Sequence, residues 1–138
     1  MQKRKTIIRD ISWLAFNGRV LQEAADEAVP LKERIRFLGI FSNNLDEFFR
    51  VRVATLKRMI QLGSKAKMHL EADPERILEE IQEKVLKLQT DFDRIWNEIL
   101  RDLKKEKIFL VDEKKLNVAQ QKYVLQYFNE EVRSFIVP

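Results

Sequence analysis

DPERILEEIQEKVLKLQTDFDRIWNEILRDLKKEK, residues 73–107, carries the strongest structural signal in the sequence. Asp73 can cap a helix, and Pro74 suits a first helical position, where its missing N–H would have had no partner. Apolar residues then recur at steps of three and four: Leu78, Ile81, Val85, Leu88, Phe92, Ile95, Ile99 and Leu103. Lysines close the stretch, where the helix dipole favours cations. The pattern predicts one long amphipathic helix.

Two more helical patterns precede this stretch. The first covers about residues 12–26, with Asp10 or Ser12 as its cap and Gly18 as an unfavourable interior residue. Pro30 opens the second, which covers about residues 31–62 and ends at Gly63-Ser64. We expect it to bend or break at Ser42-Asn43-Asn44, because these residues favour caps over helix interiors. Three amphipathic helices with short linkers must cover each other's apolar faces, which predicts an all-α, antiparallel bundle of long helices.

The pattern changes after about residue 105. Residues 108–111, Ile-Phe-Leu-Val, form a short apolar run of strand type, and Asn117 can cap a final helix. The run has no second strand in this chain to pair with, so we expect residues from Ile108 onward to be held less stably than the helices before them. The apolar ending Ile136-Val137-Pro138 favours a chain that has been cut in mid-protein.

Composition excludes several classes of protein. The 138 residues include no cysteine and one histidine, which excludes disulfides, thiol catalysis and a His-rich metal site. No apolar run is long enough to span a bilayer, and residues 1–10 lack the apolar core of a signal peptide. We therefore expect a cytoplasmic protein, either free or peripheral to the inner membrane. The net charge of +4 indicates some affinity for anions without identifying one.

Basic residues concentrate between Phe48 and Leu70, where no acidic residue occurs. This stretch could meet a polyanion, or the acidic start of the next helix could neutralise it. Arg52 shares a helical face with apolar residues, so it needs either an internal carboxylate or an anionic ligand. Arg50 and Arg52 are the candidate anion-contacting residues.

The sequence contains no general catalytic constellation: it has neither a His–Ser–Asp set nor a glycine-rich phosphate loop. His69 fits an exposed loop histidine, and the adjacent Asp46 and Glu47 point in different directions on a helix. Asn43 and Asn44 each offer one acceptor and two donors, so each could cap a helix or read a base edge. Physical reasoning alone leaves that choice open.

Several linked motifs closely resemble the opening of the histidine-dependent bacterial polyphosphate kinase family. They are ISWLAFN at 11–17, RVLQEA at 19–24, the segment 34–39, SNNLDEFF at 42–49, Val51-Arg52, and the later stretches 108–110 and 120–128. The resemblance covers nearly the whole chain.

This resemblance implies an enzyme that reversibly moves the terminal phosphate of ATP onto polyphosphate, through a phosphohistidine and with Mg²⁺. It places residues 1–105 in the N-terminal helical domain and 106–138 at the start of the head domain. It implies that Asn44 contacts adenine, and that this segment holds no catalytic residue and no metal ligand. The implied partners are ATP, ADP, polyphosphate, the remaining domains of the parent chain and, in a homo-oligomer, its other copies. We expect the fragment alone to be inactive and to bind no cofactor tightly.

Two other functions remain to be weighed. A stand-alone helical module could bind a protein through exposed apolar faces. A nucleic-acid binder would use the basic stretch, but the sequence has no recognisable reading motif and little net charge, so we rank it last and expect no nucleic-acid partner.

Overall fold

The computed structural model describes residues 9–63 and 73–136, and within these the chain is helical without a strand. The bounds are α1, Arg9–Ala25; α2, Leu31–Phe48; α3, Ala54–Leu62; α4, Pro74–Lys105; and α5, Val118–Tyr127. A π-helical segment, Phe49–Val53, joins α2 to α3 without a break. A second π-helical segment, Phe128–Val132, and a 3₁₀ turn, Arg133–Phe135, follow α5. The predicted all-α class is confirmed.

The chain divides into two compact units, with the first ending at Leu103 and the second beginning at Lys104. In the first unit, α1, the continuous α2–α3 helix and the long α4 bury their apolar faces in two clusters. One cluster consists of Leu14, Phe48, Val53, Leu56, Ile77, Ile81 and Val85. The other consists of Leu21, Ala24, Leu38, Phe41, Ile95 and Ile99. None of the helices in the described ranges combines the length and the apolar character needed to cross a bilayer.

The contacts between helices define an up-down-up bundle. Asp10 of α1 contacts residue 52, whereas Ala24, near the other end of α1, contacts residue 34, so α1 and α2–α3 run antiparallel. Phe41 of α2 stacks on Phe92 of α4, with ring centroids 5.7 Å apart. The antiparallel arrangement follows from short linkers between amphipathic helices, as the sequence predicts.

A buried arginine ties the three helices together at one end. Arg34 donates from Nε to the Ala24 carbonyl at 2.8 Å and from Nη1 to Asp102 Oδ2 at 3.1 Å. The Ala24 carbonyl lies in the last turn of α1, where carbonyls have no partner within the helix. One guanidinium thus satisfies a helix end and an acidic side chain of α4 while remaining buried.

The predicted interruption of the second helix is wrong in position. Ser42, Asn43 and Asn44 lie inside α2, and the irregular turn is the π-helical segment that follows it. A π-helical turn accommodates one extra residue. The next buried residue after Phe48 is therefore Val53, five positions later. In an uninterrupted α-helix, position 52 would follow Phe48 into the core, which is unfavourable for an arginine.

The start of α1 also differs from prediction. Asp10 and Ser12 both lie within α1, and Asp10 is buried against another helix. The other predicted boundaries are confirmed: α4 begins at Pro74, and Gly63 follows α3 with a positive φ of 68°. That φ is available to glycine at little steric cost.

The second unit forms the predicted helix but not the predicted strand. Asn117 caps α5: its side chain accepts from the Gln120 N–H at 2.9 Å, and Gln120 accepts from the Asn117 N–H. Residues 108–111 lie outside any helix or strand, with apolar side chains at least 41% exposed. A strand forms by pairing with another strand, and residues 104–136 supply none.

Candidate functional site: a groove between the first two helices

A groove with a volume of about 330 Å³ lies between α1 and the junction of α2 with the π-helical segment. Both signs of charge line it, with two arginines and two acids, together with aromatic rings and one amide. The lining residues are Arg9, Asp10, Trp13, Phe16, Asn44, Glu47, Phe48, Val51 and Arg52. Two of the residues singled out in the sequence, Asn44 and Arg52, therefore meet in one place.

Asn44 lines this groove and is half-buried. Its Nδ2 donates to Asn17 Oδ1 across the helix interface at 3.1 Å. The cap interpretation of Asn43 and Asn44 is wrong, because both lie in the middle of α2 rather than at a helix start. Asn43 is exposed, whereas Asn44 faces α1. The side chains of these two adjacent residues thus point in different directions.

Asn17 is a residue that sequence reasoning missed. Its side chain is completely buried, and its Nδ2 donates to the Phe41 carbonyl at 3.2 Å. The signal was present in the spacing: Leu14, Asn17 and Leu21 occur at steps of three and four, which puts an amide on the apolar face of α1. A buried amide needs hydrogen-bond partners, and Asn17 finds them in α2.

Aromatic rings form one wall of the groove. Trp13 stacks on Phe48 with ring centroids 4.8 Å apart and an interplanar angle of 9°. Phe48 is buried in the core, so this contact anchors the indole of Trp13. Phe16, one turn further along α1, is 58% exposed. An exposed ring beside a half-buried amide is suited to a planar ligand, since a ring face offers stacking and an amide offers directed hydrogen bonds.

Arg52 has the internal carboxylate that was one of its two predicted partners. Its Nε and Nη2 donate to the two oxygens of Asp10 at 2.7 and 3.1 Å. The Asp10 side chain is 7% exposed and that of Arg52 is 41% exposed, so the pair lies at the edge of the groove. The hydrogen bond to Asp10 raises the pKa of Arg52, although desolvation opposes the shift. Whether Arg52 also contacts an anionic ligand stays a prediction.

Arg50 points elsewhere. Its side chain is 74% exposed, it forms an ion pair with Asp46 one turn earlier, and it is not part of the groove's lining. The structure therefore separates the two candidate arginines, because residues two positions apart on a helix point in nearly opposite directions.

The remaining sequence candidates add nothing to the groove. His69 and the basic residues Lys65 and Lys67 lie outside the described residues. Over residues 9–63 and 73–136, no three His, Asp or Glu side chains are grouped so that they could hold a metal ion.

Comparison with known proteins gives consistent results. A family model described as "Polyphosphate kinase N-terminal domain" matches residues 6–111. A polyphosphate kinase of Vibrio vulnificus is 51% identical over 137 residues, covering 96% of this chain and 19% of that protein. A polyphosphate kinase of Escherichia coli K12 is 45% identical, covering 99% of this chain and 20% of that protein.

A solved structure gives the same result for the fold. The crystal structure of polyphosphate kinase from Porphyromonas gingivalis matches with a TM-score of 0.67 and 36% identity, covering 90% of this chain and 17% of that one. The chain thus spans about a fifth of the length of the curated relatives it matches. Sequence and fold lead to one conclusion: this chain belongs to the family of polyphosphate kinase N-terminal domains.

Proposed function

We propose that this chain is the N-terminal part of a kinase that reversibly transfers the terminal phosphate of ATP to polyphosphate through a phosphohistidine. Within that enzyme, the groove between α1 and α2 binds the adenine of ATP, and Asn44 contacts the base. The observation that carries the proposal is the placement of Asn44: its amide donates to Asn17 and lines a groove that aromatic rings also line.

The hydrogen-bonding capacity of Asn44 supports binding of a base. A side-chain amide has two N–H donors and one oxygen acceptor, and Asn17 uses one of the donors. One donor and the oxygen remain for a ligand. Adenine presents a matching pair, an exocyclic amine that donates and a ring nitrogen that accepts. Phe16 offers an exposed ring at the side of the same groove.

The groove suits the base better than the phosphates. Transfer of a phosphoryl group depends on metal ions and fixed cations around the phosphates. In the groove, Asp10 and Glu47 offset Arg9 and Arg52, and the described residues contain no group of three acidic or histidine side chains that could hold a metal ion. We therefore assign Mg²⁺ and the phosphohistidine to later domains, and we expect no polyphosphate synthesis by this chain alone.

Arg52 is the better placed of the two candidate anion-contacting residues. Asp10 holds its guanidinium at the edge of the groove, and 41% of the side chain remains exposed. A cation fixed in this way could face the phosphates of a nucleotide whose base lies deeper. Arg50 could contact an anion only away from the groove.

The second unit supports a role as part of a longer protein. Its large apolar side chains are mostly exposed, including Ile108, Phe109, Leu110, Val118, Tyr123, Leu125 and Phe135. Exposed apolar surface on this scale indicates an interface. We propose that the remaining domains of the parent chain cover it. A homo-oligomer of the full-length enzyme would offer further surface for the same purpose.

Steady-state kinetics of Asn44→Ala in the full-length enzyme test the adenine assignment. The lost hydrogen bonds lie on the base, away from the transferring phosphate, so ground-state and transition-state binding should weaken equally. A hydrogen bond is worth roughly 0.5–1.5 kcal/mol net, so we expect KM for ATP to rise several-fold while kcat stays nearly constant.

Asn43→Ala is the matched control. Its side chain is exposed in mid-helix, so alanine should leave KM unchanged and slightly favour the helix. An unchanged KM in Asn44→Ala, or a lost kcat at constant KM, would show that Asn44 has a structural or catalytic role instead.

A further inference from the structure

The amide of Asn17 has only one favourable orientation in this structure. Its Nδ2 lies 3.2 Å from the Phe41 carbonyl, which can accept a hydrogen bond but cannot donate one. Turning the amide over would place Asn17 Oδ1 against that carbonyl oxygen, two acceptors without a proton between them. Because Asn17 is fully buried, no solvent could relieve the mismatch.

The orientation of the Asn17 amide determines the orientation of the Asn44 amide. With Nδ2 of Asn17 directed at Phe41, its Oδ1 faces α2 and accepts from Asn44 Nδ2 at 3.1 Å. Turning over the Asn44 amide would set its own oxygen against Asn17 Oδ1. The chain from the Phe41 carbonyl through Asn17 to Asn44 is therefore a directed relay, and it fixes which edge of Asn44 carries the acceptor and which the donors.

We infer that Asn17 is a positioning residue that makes the groove select adenine over guanine, an inference that rests on the proposed function of Asn44. The two purines differ at position 6, where adenine has an amine that donates and guanine an oxygen that accepts. The Asn44 oxygen pairs with the amine. Guanine would require the opposite orientation of Asn44, which Asn17 opposes.

The selection arises as an energetic penalty on the wrong base. Guanine entering the groove faces either an oxygen against an oxygen at position 6 or a reversed Asn44 that opposes Asn17. Sites built to hydrogen-bond a substrate group reject analogues that leave their polar atoms unpaired. Removing Asn17 should free Asn44 to reverse, and guanine should then bind nearly as well as adenine.

The test compares ATP and GTP as phosphate donors for the full-length enzyme with Asn17→Leu, a change that keeps the branched shape of the side chain and removes its polar atoms. The Phe41 carbonyl lies within α2, so it keeps its helical partner. We expect KM for ATP to rise and the ATP-to-GTP ratio of kcat/KM to fall, each by roughly two- to tenfold, the worth of one hydrogen bond. The kcat for ATP should stay nearly constant.

A second variant and one control keep the outcomes distinct. Asn17→Ala cannot clash with its neighbours and should change the ATP-to-GTP ratio in the same direction. Asn43→Ala should leave the ratio unchanged. A merely structural role for Asn17 would lower stability or kcat for both nucleotides without changing their ratio, and that result would overturn the inference.

Asn44→Ala separates failure of the inference from failure of the proposed function. If Asn44→Ala raises KM for ATP while both Asn17 variants keep the wild-type ratio, only the role of Asn17 is wrong. If Asn44→Ala leaves KM unchanged, the adenine assignment itself is wrong and the inference falls with it.

Discussion

The ion pair between Asp10 and Arg52 stabilises the fold and also fixes an arginine at the groove. The carboxylate is almost fully enclosed and accepts two hydrogen bonds from one guanidinium. Two parallel hydrogen bonds of this kind fix the arginine geometrically as well as energetically. The hydrogen bond to Asp10 raises the pKa of Arg52, so the stabilisation contributed by this guanidinium is fully present below its ordinary pKa and is lost as pH rises through the raised pKa.

Replacing Arg52 with methionine should be costly. The enclosed Asp10 carboxylate would lose its partner, and breaking a buried ion pair typically costs about 3–5 kcal/mol. We expect a loss of about 2 kcal/mol in the free energy of unfolding, below that range because the Arg52 side chain is 41% exposed and solvent screens the pair. Urea unfolding of this chain measures it.

Arg50→Met provides the matched comparison, since Arg50 also pairs with an aspartate but on the exposed surface. Its cost should not exceed about 0.5 kcal/mol. Adding Asp10→Asn to Arg52→Met should restore part of the lost stability, because no buried charge then remains. Equal losses for the two arginine variants would show that the Asp10 pair is an ordinary surface contact.

Residue-level prediction from sequence succeeded where a polar residue conflicted with an apolar pattern. Arg52 conflicts with its apolar face in this way, and the structure pairs it with the internal carboxylate of Asp10. Asn44 is a candidate because of the family resemblance, and both residues line the groove. Asn17 conflicts with its pattern in the same way but passed unnoticed. The partner Asp10 could not be identified either, because pairing across 42 positions depends on how two helices pack.

At the scale of secondary-structure elements, the π-helical segment between α2 and α3 is the feature that periodicity could not predict. Apolar residues at Phe48, Phe49 and Val53 are compatible with several helical registers. The structure buries Phe48 and Val53 and leaves Phe49 exposed. The choice follows from packing, since it keeps Arg52 out of the core and beside Asp10.

The helical glycines give a test of how closely α1 packs on α4. Gly39 lies in α2 with open space around it, so Gly39→Ala should raise the free energy of unfolding by about 1 kcal/mol. At Gly18 an added Cβ would lie 3.2 Å from Leu88 Cδ2. Leu88 borders a cavity of about 310 Å³ between α1 and α4 and has room to shift.

We therefore expect Gly18→Ala to stabilise the chain too, but by less than Gly39→Ala. Thermal unfolding of the two variants side by side makes the comparison. A Gly18→Ala variant less stable than the wild type would show that Leu88 cannot move and that the two helices require glycine at their contact.

At the scale of the whole molecule, the two units differ in how much they bury. The first unit has two apolar clusters and the buried Arg34, whereas the large apolar side chains of the second are mostly exposed. Sequence periodicity was sufficient to predict that the first unit is built from three long helical stretches, but not the π-helical segment within the second. It could not predict the conformation of residues 108–111, because a strand depends on a partner that residues 104–136 do not provide. The division into domains at about residue 105 stays a prediction.

Amide hydrogen exchange should show this difference. We expect exchange at Phe109–Val111 to be much faster than in the middle of α4, because these residues lie outside any helix or strand and have exposed side chains. The measurement requires monomeric protein, since pairing with another copy would protect the run. Equally slow exchange in both places would contradict the assignment of stability to the first unit.

A structure of the full-length enzyme with a non-hydrolysable ATP analogue is the most direct test of the adenine site. We expect the adenine in the groove between α1 and α2, with the Asn44 oxygen about 3 Å from the exocyclic amine and Asn44 Nδ2 about 3 Å from a ring nitrogen. The hydrogen bond from Asn44 to Asn17 should persist beside the base. An adenine bound elsewhere, with Asn44 beyond hydrogen-bonding distance of it, would contradict the proposed function.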